Sequence, residues 1–193
     1  ALKAVCLGPE GLLAAKPAPK LFVDTCTIAP GESAEIAAAA EVAGVPFLRV
    51  PVIGTMPHAE SGNLVLLISG DKAAYEAAHP YLAVLGSVSH YLGPGERSRY
   101  VKLAVTMQAF TQVFVAAEGM VLAEKSGTDL KQMAEITSGS AAGSGIVKIK
   151  TANMAARNFD PFFEIRMTLK DLDLALAAAK DVGVELPIIQ RTR

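Results

Sequence analysis

Residues 96–125 read ERSRYVKLAVTMQAFTQVFVAAEGMVLAEK, a run without proline and with a single glycine, Gly119. With nothing to break it, the run is expected to form one helix of about thirty residues, roughly 45 Å long at ~1.5 Å per residue. A helix of that length exceeds what one small domain covers. Part of the helical half is therefore expected to bury its surface against another subunit. The most apolar window, 101–123, holds Lys102, Gln108, Gln112 and Glu118, and these charges and amides argue against a membrane span. Glu118 suits either a buried ion pair or a subunit contact.

Outward from this helix the chain shows two regimes that meet near Gly93. Upstream, Leu21–Asp24, Phe47–Val52 and Leu64–Ser69 are short apolar runs bounded by turn residues and read as strands. Between them, Gly31–Ala43 is an amphipathic helix opened by Pro30 and closed at Gly44. Asp71 is the expected N-cap of a second helix that runs to about Leu85 and stops at Gly86. Strands alternating with helices imply βαβ units and a largely parallel sheet. Downstream the strand signal disappears, and helices are expected at Asp129–Thr137, Gly145–Ala156 and Glu164–Val182, with Asn158–Pro161 as a loop. The Gly/Ser-rich turn Ser138–Gly145 is either a plain helix connection or a place where backbone closely approaches a ligand. The expected fold class is α/β followed by all-α, divided at 1–95 and 96–193, the second part built on the long helix.

Composition narrows the function. The 193 residues are 51% hydrophobic and 19% charged, with a formal net charge of -1. No segment concentrates Lys and Arg, so the footprint of a nucleic-acid binder is missing. Cys6 and Cys26 are too few for a disulfide framework or a four-ligand metal site, and His58, His79 and His90 stand singly, without metal spacing. A reducing, cytoplasmic setting is the simplest expectation. The chain opens at Ala1, so any leader would lie upstream.

The segment before Leu21 is helix-like, and a parallel strand reached only there would leave an apolar flank uncovered. No strand–GxGxxG–helix fingerprint occurs, and Gly93-Pro94-Gly95 lacks the third glycine. The phosphate cradle of a dinucleotide site is thus not encoded in these residues, and the chain by itself is expected to bind a dinucleotide poorly or not at all. A further helix is expected after Pro187.

Four motifs in order carry a resemblance. Asp24-Thr25-Cys26-Thr27-Ile28-Ala29-Pro30 resembles a strand-end pattern D-x-S-T-x-x-P. Phe47-Leu48-Arg49-Val50-Pro51-Val52-Ile53-Gly54-Thr55, with Ala59 and Gly62-Asn63-Leu64, resembles a substrate loop D-A-P-V-S-G-G…A…G-x-L. Lys102-Leu103-Ala104-Val105-Thr106 lies where the same pattern has K-x-x-x-N on the long helix. Phe163 and Lys170-Asp171-Leu172 resemble a closing F…K-D-L. The set is similar to the β-hydroxyacid dehydrogenases, the group of 3-hydroxyisobutyrate and 6-phosphogluconate dehydrogenases, and extends over nearly the whole chain.

That resemblance implies the C-terminal part of a Rossmann-type sheet in 1–95, a helical substrate and dimerisation domain in 96–193, and hydride transfer between NAD or NADP and a small β-hydroxy acid or its aldehyde or keto form. It makes Lys102 the general acid or base. The substrate would lie against Ile53, Gly54, Thr55, Thr106 and Phe163, and the cofactor against Thr27, Lys170 and Asp171. The long helix makes a homodimer or homotetramer the expected assembly, the expected partner is a small-molecule substrate, and charge and residue spacing point to no metal, nucleic acid or membrane. The residues alone also allow Lys102 to be a snorkelling surface lysine, Phe163 a core residue, and Thr27 a cap for the helix near Pro30.

Two substrate positions depart from the family pattern. Thr106 replaces an Asn with a shorter reach, and Ile53 replaces a Ser whose hydroxyl would hold the substrate. Backbone N–H groups at Gly54 and Thr55 could still bind an anion. Arg49 stands where the family carries an acid. These departures motivate two alternatives, a reductase of imines or non-carboxylate carbonyls and a non-catalytic oligomerisation module. Lys170 and Asp171, about 100° apart on a helix, are not expected simply to pair with each other, and Arg166 with Lys170 makes a like-charge pair one turn apart.

Overall fold

The computed structural model describes residues 2–160 and 163–193. They divide into two compact units, 1–104 and 105–193. The first unit opens with α1 (Leu2–Leu7) and a 3-10 turn (Leu12–Ala14), then β1 (Phe22–Asp24), α2 (Pro30–Val42), β2 (Phe47–Arg49), β3 (Val52–Ile53) and α3 (Met56–Glu60). It continues through β4 (Val65–Gly70), α4 (Lys72–Leu85) and β5 (Val88–Tyr91) into α5 (Arg97–Lys125).

Local signals place these elements closely. Pro30 opens α2, where its missing N–H costs nothing, and Gly44, at φ +67°, follows its C-cap. The Asp71 carboxylate accepts from the Ala74 N–H at 2.8 Å and caps α4. Gly86 ends that helix, and a Cβ there would lie 2.1 Å from the Leu64 carbonyl oxygen.

The fold class is the expected α/β followed by all-α, but the sheet is mixed. β1 runs parallel to β2, and β5 parallel to β4. β4, however, is antiparallel to both β2 and β3. The connection from β3 to β4 carries the short helix α3 and returns the chain antiparallel to β3. The single strand expected at Phe47–Val52 is interrupted at Val50-Pro51, because Pro51 has no N–H to give the ladder. Leu67 N–H still bonds the Pro51 carbonyl at 3.0 Å, and Val50 N–H the Asp24 carbonyl at 2.7 Å.

Alternation sends neighbouring side chains to opposite faces. Leu48, Val50, Leu66 and Ile68 pack with Ala78 and Leu82 of α4, while Phe47 joins Ile36 and Ala40 of α2 and Cys6 of α1. The sheet is thus covered on both sides, which is why β4 reads as an unbroken apolar run.

The second unit holds α5 from residue 105 onward, α6 (Leu130–Gly139), α7 (Gly145–Ala155), α8 (Ile165–Asp181) and α9 (Pro187–Thr192). Asp129 and Ser144 cap α6 and α7 with their side chains. The Ser138–Gly145 turn is a helix connection: a Cβ on Gly143 would lie 2.7 Å from the carbonyl oxygens of Thr137 and Ser138. Of the expected loop Asn158–Pro161, Pro161 lies outside the described residues. α8 buries Asp171, Leu172, Ala175, Ala178 and Ala179, one stripe at helical spacing.

Candidate active site

The C-terminal ends of three strands present polar residues in a row. Asp24 of β1 pairs in register with Arg49 of β2, and Arg49 with Ser69 of β4. Each closes an apolar run, and each meets a side chain at the start of α5. Arg99 pairs with Asp24 through Nη2, where both side chains are almost wholly buried. Arg49 Nε donates to Glu96 Oε1 at 2.7 Å, while its guanidinium lies 4.9 Å from the centre of the Phe47 ring. The Ser98 and Ser69 hydroxyls are 2.7 Å apart.

These bonds fix the opening turns of α5, on which Lys102 follows. Lys102 Nζ donates to the Val52 carbonyl at 2.8 Å. Val52 immediately precedes Ile53-Gly54-Thr55, so the ammonium is held at the head of the loop expected to contact substrate. Lys102 is half-buried, with its ammonium on a backbone carbonyl. Thr106, one turn further along α5, is buried at 8% exposure.

The loop has a feature that was not anticipated. Thr55 N–H donates to His58 Nδ1 at 3.2 Å, and the Thr55 hydroxyl lies 2.8 Å from the same nitrogen. The Thr55 amide expected for anion binding is therefore already engaged by the exposed His58. Gly54, at φ +145°, lies so close to its neighbours that a Cβ would stand 2.7 Å from Leu64 Cδ2. A side chain there would be strained on both counts.

Thr27 stands half-buried on the loop after β1. It does not cap α2; Ala29 is the N-cap and offers no side-chain bond. Arg99 reaches this loop too. Its Nη1 donates to the Cys26 carbonyl and its Nε to Ser33 Oγ of α2 at 3.2 Å. Burial lowers the Arg99 pKa from its ordinary value, opposed by the Asp24 carboxylate.

Cys26 lies beside that carboxylate. Burial first, then the hydrogen bond and negative charge of Asp24, push its thiol from an ordinary 9.0 up to about 11. Below that pH it is overwhelmingly the unreactive thiol. Alkylation by iodoacetamide at pH 8 is expected to run on the order of a hundredfold slower than for an unperturbed exposed cysteine, and to accelerate as pH rises towards the thiol's pKa. Rapid modification of Cys26 at pH 8, followed by mass spectrometry, would contradict this.

Phe163, Lys170 and Asp171 belong to the second unit. Phe163 stacks on Phe110 of α5 with ring centres 5.5 Å apart, and is 46% exposed. Contrary to expectation, Lys170 and Asp171 do meet, with Nζ 2.9 Å from Oδ1. The flexible four-carbon stem bends across the arc that separates the two positions. Arg166 pairs with Glu164. Among the described residues no cluster of His, Cys, Asp and Glu could hold a metal ion.

The second unit also contains an apolar cavity of about 870 Å³ between α5, α6, α7 and α9, lined by Met107, Thr111, Val115, Met133, Val147 and Ile189 among others.

Residues 1–93 match the model of the NAD binding domain of 6-phosphogluconate dehydrogenase, and residues 97–193 that of the NAD-binding domain of NADP-dependent 3-hydroxyisobutyrate dehydrogenase. The chain belongs to the β-hydroxyacid dehydrogenase family. It is 32% identical over 95% of its length to the chloroplastic glyoxylate/succinic semialdehyde reductase 2 of Arabidopsis thaliana, covering 51% of that protein. It is similar to the crystal structure of 3-hydroxyisobutyrate dehydrogenase from Salmonella typhimurium, with a TM-score of 0.88 at 23% identity, over 98% of this chain and 66% of that one. The Mycobacterium tuberculosis 3-hydroxyisobutyrate dehydrogenase structure with L-serine gives a TM-score of 0.81 at 27% identity, over 95% and 65% of the two chains. The chain thus spans about half the length of the first of these relatives.

The row Asp24–Arg49–Ser69 against Arg99–Glu96–Ser98 was not anticipated as a unit. A signal for it exists: three apolar strands each end in a polar residue, and the helix begins Glu-Arg-Ser-Arg.

Proposed function

We propose that the protein containing this chain is an NAD- or NADP-dependent oxidoreductase acting on a small β-hydroxy acid or its aldehyde or keto form. The observation that carries this is the Lys102 ammonium, held on the Val52 carbonyl at the head of loop 53–55. The nicotinamide group, when bound, supplies or accepts the hydride. In reduction, Lys102 gives a proton to the carbonyl oxygen as it becomes a hydroxyl; in oxidation, the neutral amine takes that proton back. Thr27 fits a nucleotide contact, because it follows the carboxyl end of β1, and ligands of open α/β sheets bind outside the carboxyl ends of their strands. Lys170 and Asp171 are the further cofactor contacts in this reading. The similar structure from Mycobacterium tuberculosis was solved with L-serine, which carries a β-hydroxyl and a carboxylate.

The test is an assay of the whole protein on a panel of small β-hydroxy acids, aldehydes and keto acids with each nucleotide, and Lys102→Ala as control. Turnover that the substitution abolishes supports the reading, and no turnover on any member overturns it. Ile53 offers no hydrogen bond to a carboxylate. Ile53→Ser is expected to improve kcat/KM for carboxylate substrates by about ten- to a hundredfold, corresponding to the ~1.5–3 kcal/mol of a bond to a charged group. An unchanged ratio would place the carboxylate elsewhere.

The proposal extends to assembly as a homodimer or homotetramer. α5 is long and apolar enough to cross a membrane by length and composition, yet its first turns, with Ser98, Arg99 and Leu103, are buried in the first unit. Further along, Val115, Val121 and Leu122 are more than half exposed, a surface suited to a second copy. Sedimentation of the whole protein as a monomer at micromolar concentration would argue against it.

A further inference from the structure

The row of strand ends and the opening of α5 match one for one, and the charges alternate on both sides. The sheet presents acid, base and hydroxyl in the order Asp24, Arg49, Ser69, and the helix answers with Arg99, Glu96 and Ser98. Ser98 Oγ also donates to the Arg49 carbonyl at 3.3 Å, closing the middle of the row.

Arg99 has the widest reach of these residues. It is 1% exposed, and its guanidinium bonds to Asp24, to the Cys26 carbonyl and to Ser33. One fork therefore ties the end of β1, the loop that presents Thr27 and the N-terminal turn of α2 to α5. Lys102 lies three residues later on the same helix, its Nζ on Val52.

Stability alone explains such an arrangement poorly, because a buried ion pair is often matched or bettered by apolar residues of similar volume. Register explains it well. If α5 slid so that each residue took its predecessor's place, Arg97 would face Arg49 and Tyr100 would face Asp24. The same slip would turn Lys102 about 100° away from Val52.

We propose that Arg99 is a positioning residue that holds the turn presenting Lys102 and the loop presenting Thr27 in one fixed relation. The role rests on the reading of Lys102 as the proton donor and Thr27 as a nucleotide contact. Arg99 itself touches neither the substrate nor the reacting atoms. It works by geometry, and a displacement of about 1 Å at a reacting group costs on the order of a hundredfold in rate.

The experiment uses the whole protein and the variants Arg99→Lys and Arg99→Met. Arg99→Lys keeps a charge for Asp24 but loses the fork that reaches Cys26 and Ser33. The first readout is competitive acetylation of Lys102 relative to exposed Lys131 in the nucleotide-free protein, read by mass spectrometry. The second is the dissociation constant of NADH and NADPH by fluorescence, and the third is the division of any loss between kcat and KM.

Lys102 is expected to be acetylated more slowly than Lys131 in the wild type. In Arg99→Lys its reactivity should rise several-fold, nucleotide affinity should fall about tenfold and kcat about a hundredfold, with the circular dichroism spectrum unchanged. A purely structural role would lower the melting temperature and leave these three readouts alone in the folded fraction. Unaltered acetylation and nucleotide affinity in a folded Arg99→Lys protein would overturn the proposal. Should Arg99→Met fail to fold, Arg99→Lys decides. Absence of turnover from the wild type would defeat the proposed reaction, while acetylation would still decide whether Arg99 sets Lys102.

Discussion

Lys102→Ala is expected to lower kcat of the whole protein by about 10²–10⁴-fold, the usual contribution of a positioned general acid or base, and to leave nucleotide affinity within a factor of about two. The argument is geometric. Lys102 is anchored by a backbone carbonyl at 2.8 Å, so its nitrogen has a defined place rather than the spread of a surface lysine. Removing it takes away a proton source and leaves the fold of the strand ends untouched, because the bonds of Glu96, Ser98 and Arg99 do not pass through it. Lys102→Arg is the sharper variant. It keeps the positive charge but cannot give up a proton near neutrality, so it is expected to be nearly as inactive as Lys102→Ala. Steady-state kinetics with both variants separates proton transfer from charge stabilisation. A loss smaller than about tenfold in Lys102→Ala would remove Lys102 from the chemistry.

The largest effect on stability is expected at the buried pair. Asp24→Ala leaves the Arg99 guanidinium buried without its carboxylate, and breaking one partner of such a pair costs about 3–5 kcal/mol. Against a total of roughly 5–15 kcal/mol for a domain, that loss is severe; it should appear as a fall in melting temperature on the order of 10 °C. The double variant Asp24→Leu, Arg99→Met removes both charges and is expected to recover most of the loss. A urea titration of the wild type, Asp24→Leu, Arg99→Met and the double variant gives the coupling directly. If Asp24→Ala cost less than about 1 kcal/mol, water or another group must already serve the guanidinium, and the pair would not set the docking of α5.

Much of this architecture is legible in the residues because its signals are local. The Asp71 cap, the stop at Gly86 and the uninterrupted run of α5 each depend on a few neighbouring positions, and the structure places them where the chain suggests. What is not legible is relational. An apolar run does not state the direction of its partner, so the antiparallel placement of β4 is known only from its pairing with β2 and β3. β5, with Val88-Ser89-His90-Tyr91, is too short and mixed to announce itself, and is recognised by its pairing with β4.

The site divides in the same way. Lys102 is singled out in the sequence by the family resemblance, and the structure adds its bond to the Val52 carbonyl. The engagement of Thr55 by His58 depends on the turn of a short helix that the chain does not advertise. The contact between Lys170 and Asp171 shows the limit of helical angles, because a long side chain reaches further than its Cβ direction implies. The row at the strand ends could be read only once the register of β1, β2 and β4 was known, since its members lie up to 75 positions apart along the chain.

That row also constrains how the sequence can drift over evolution. A change at position 49 alters the charge facing position 96, and a change at position 24 does the same for position 99. Neither member of a pair is free to vary alone without stranding a buried charge. Relatives that carry an acid in place of Arg49 are therefore expected to have given up the acid at Glu96, and the two positions should exchange together across the family. Divergence here advances in double steps, and intermediates with only one change should be rare among living sequences.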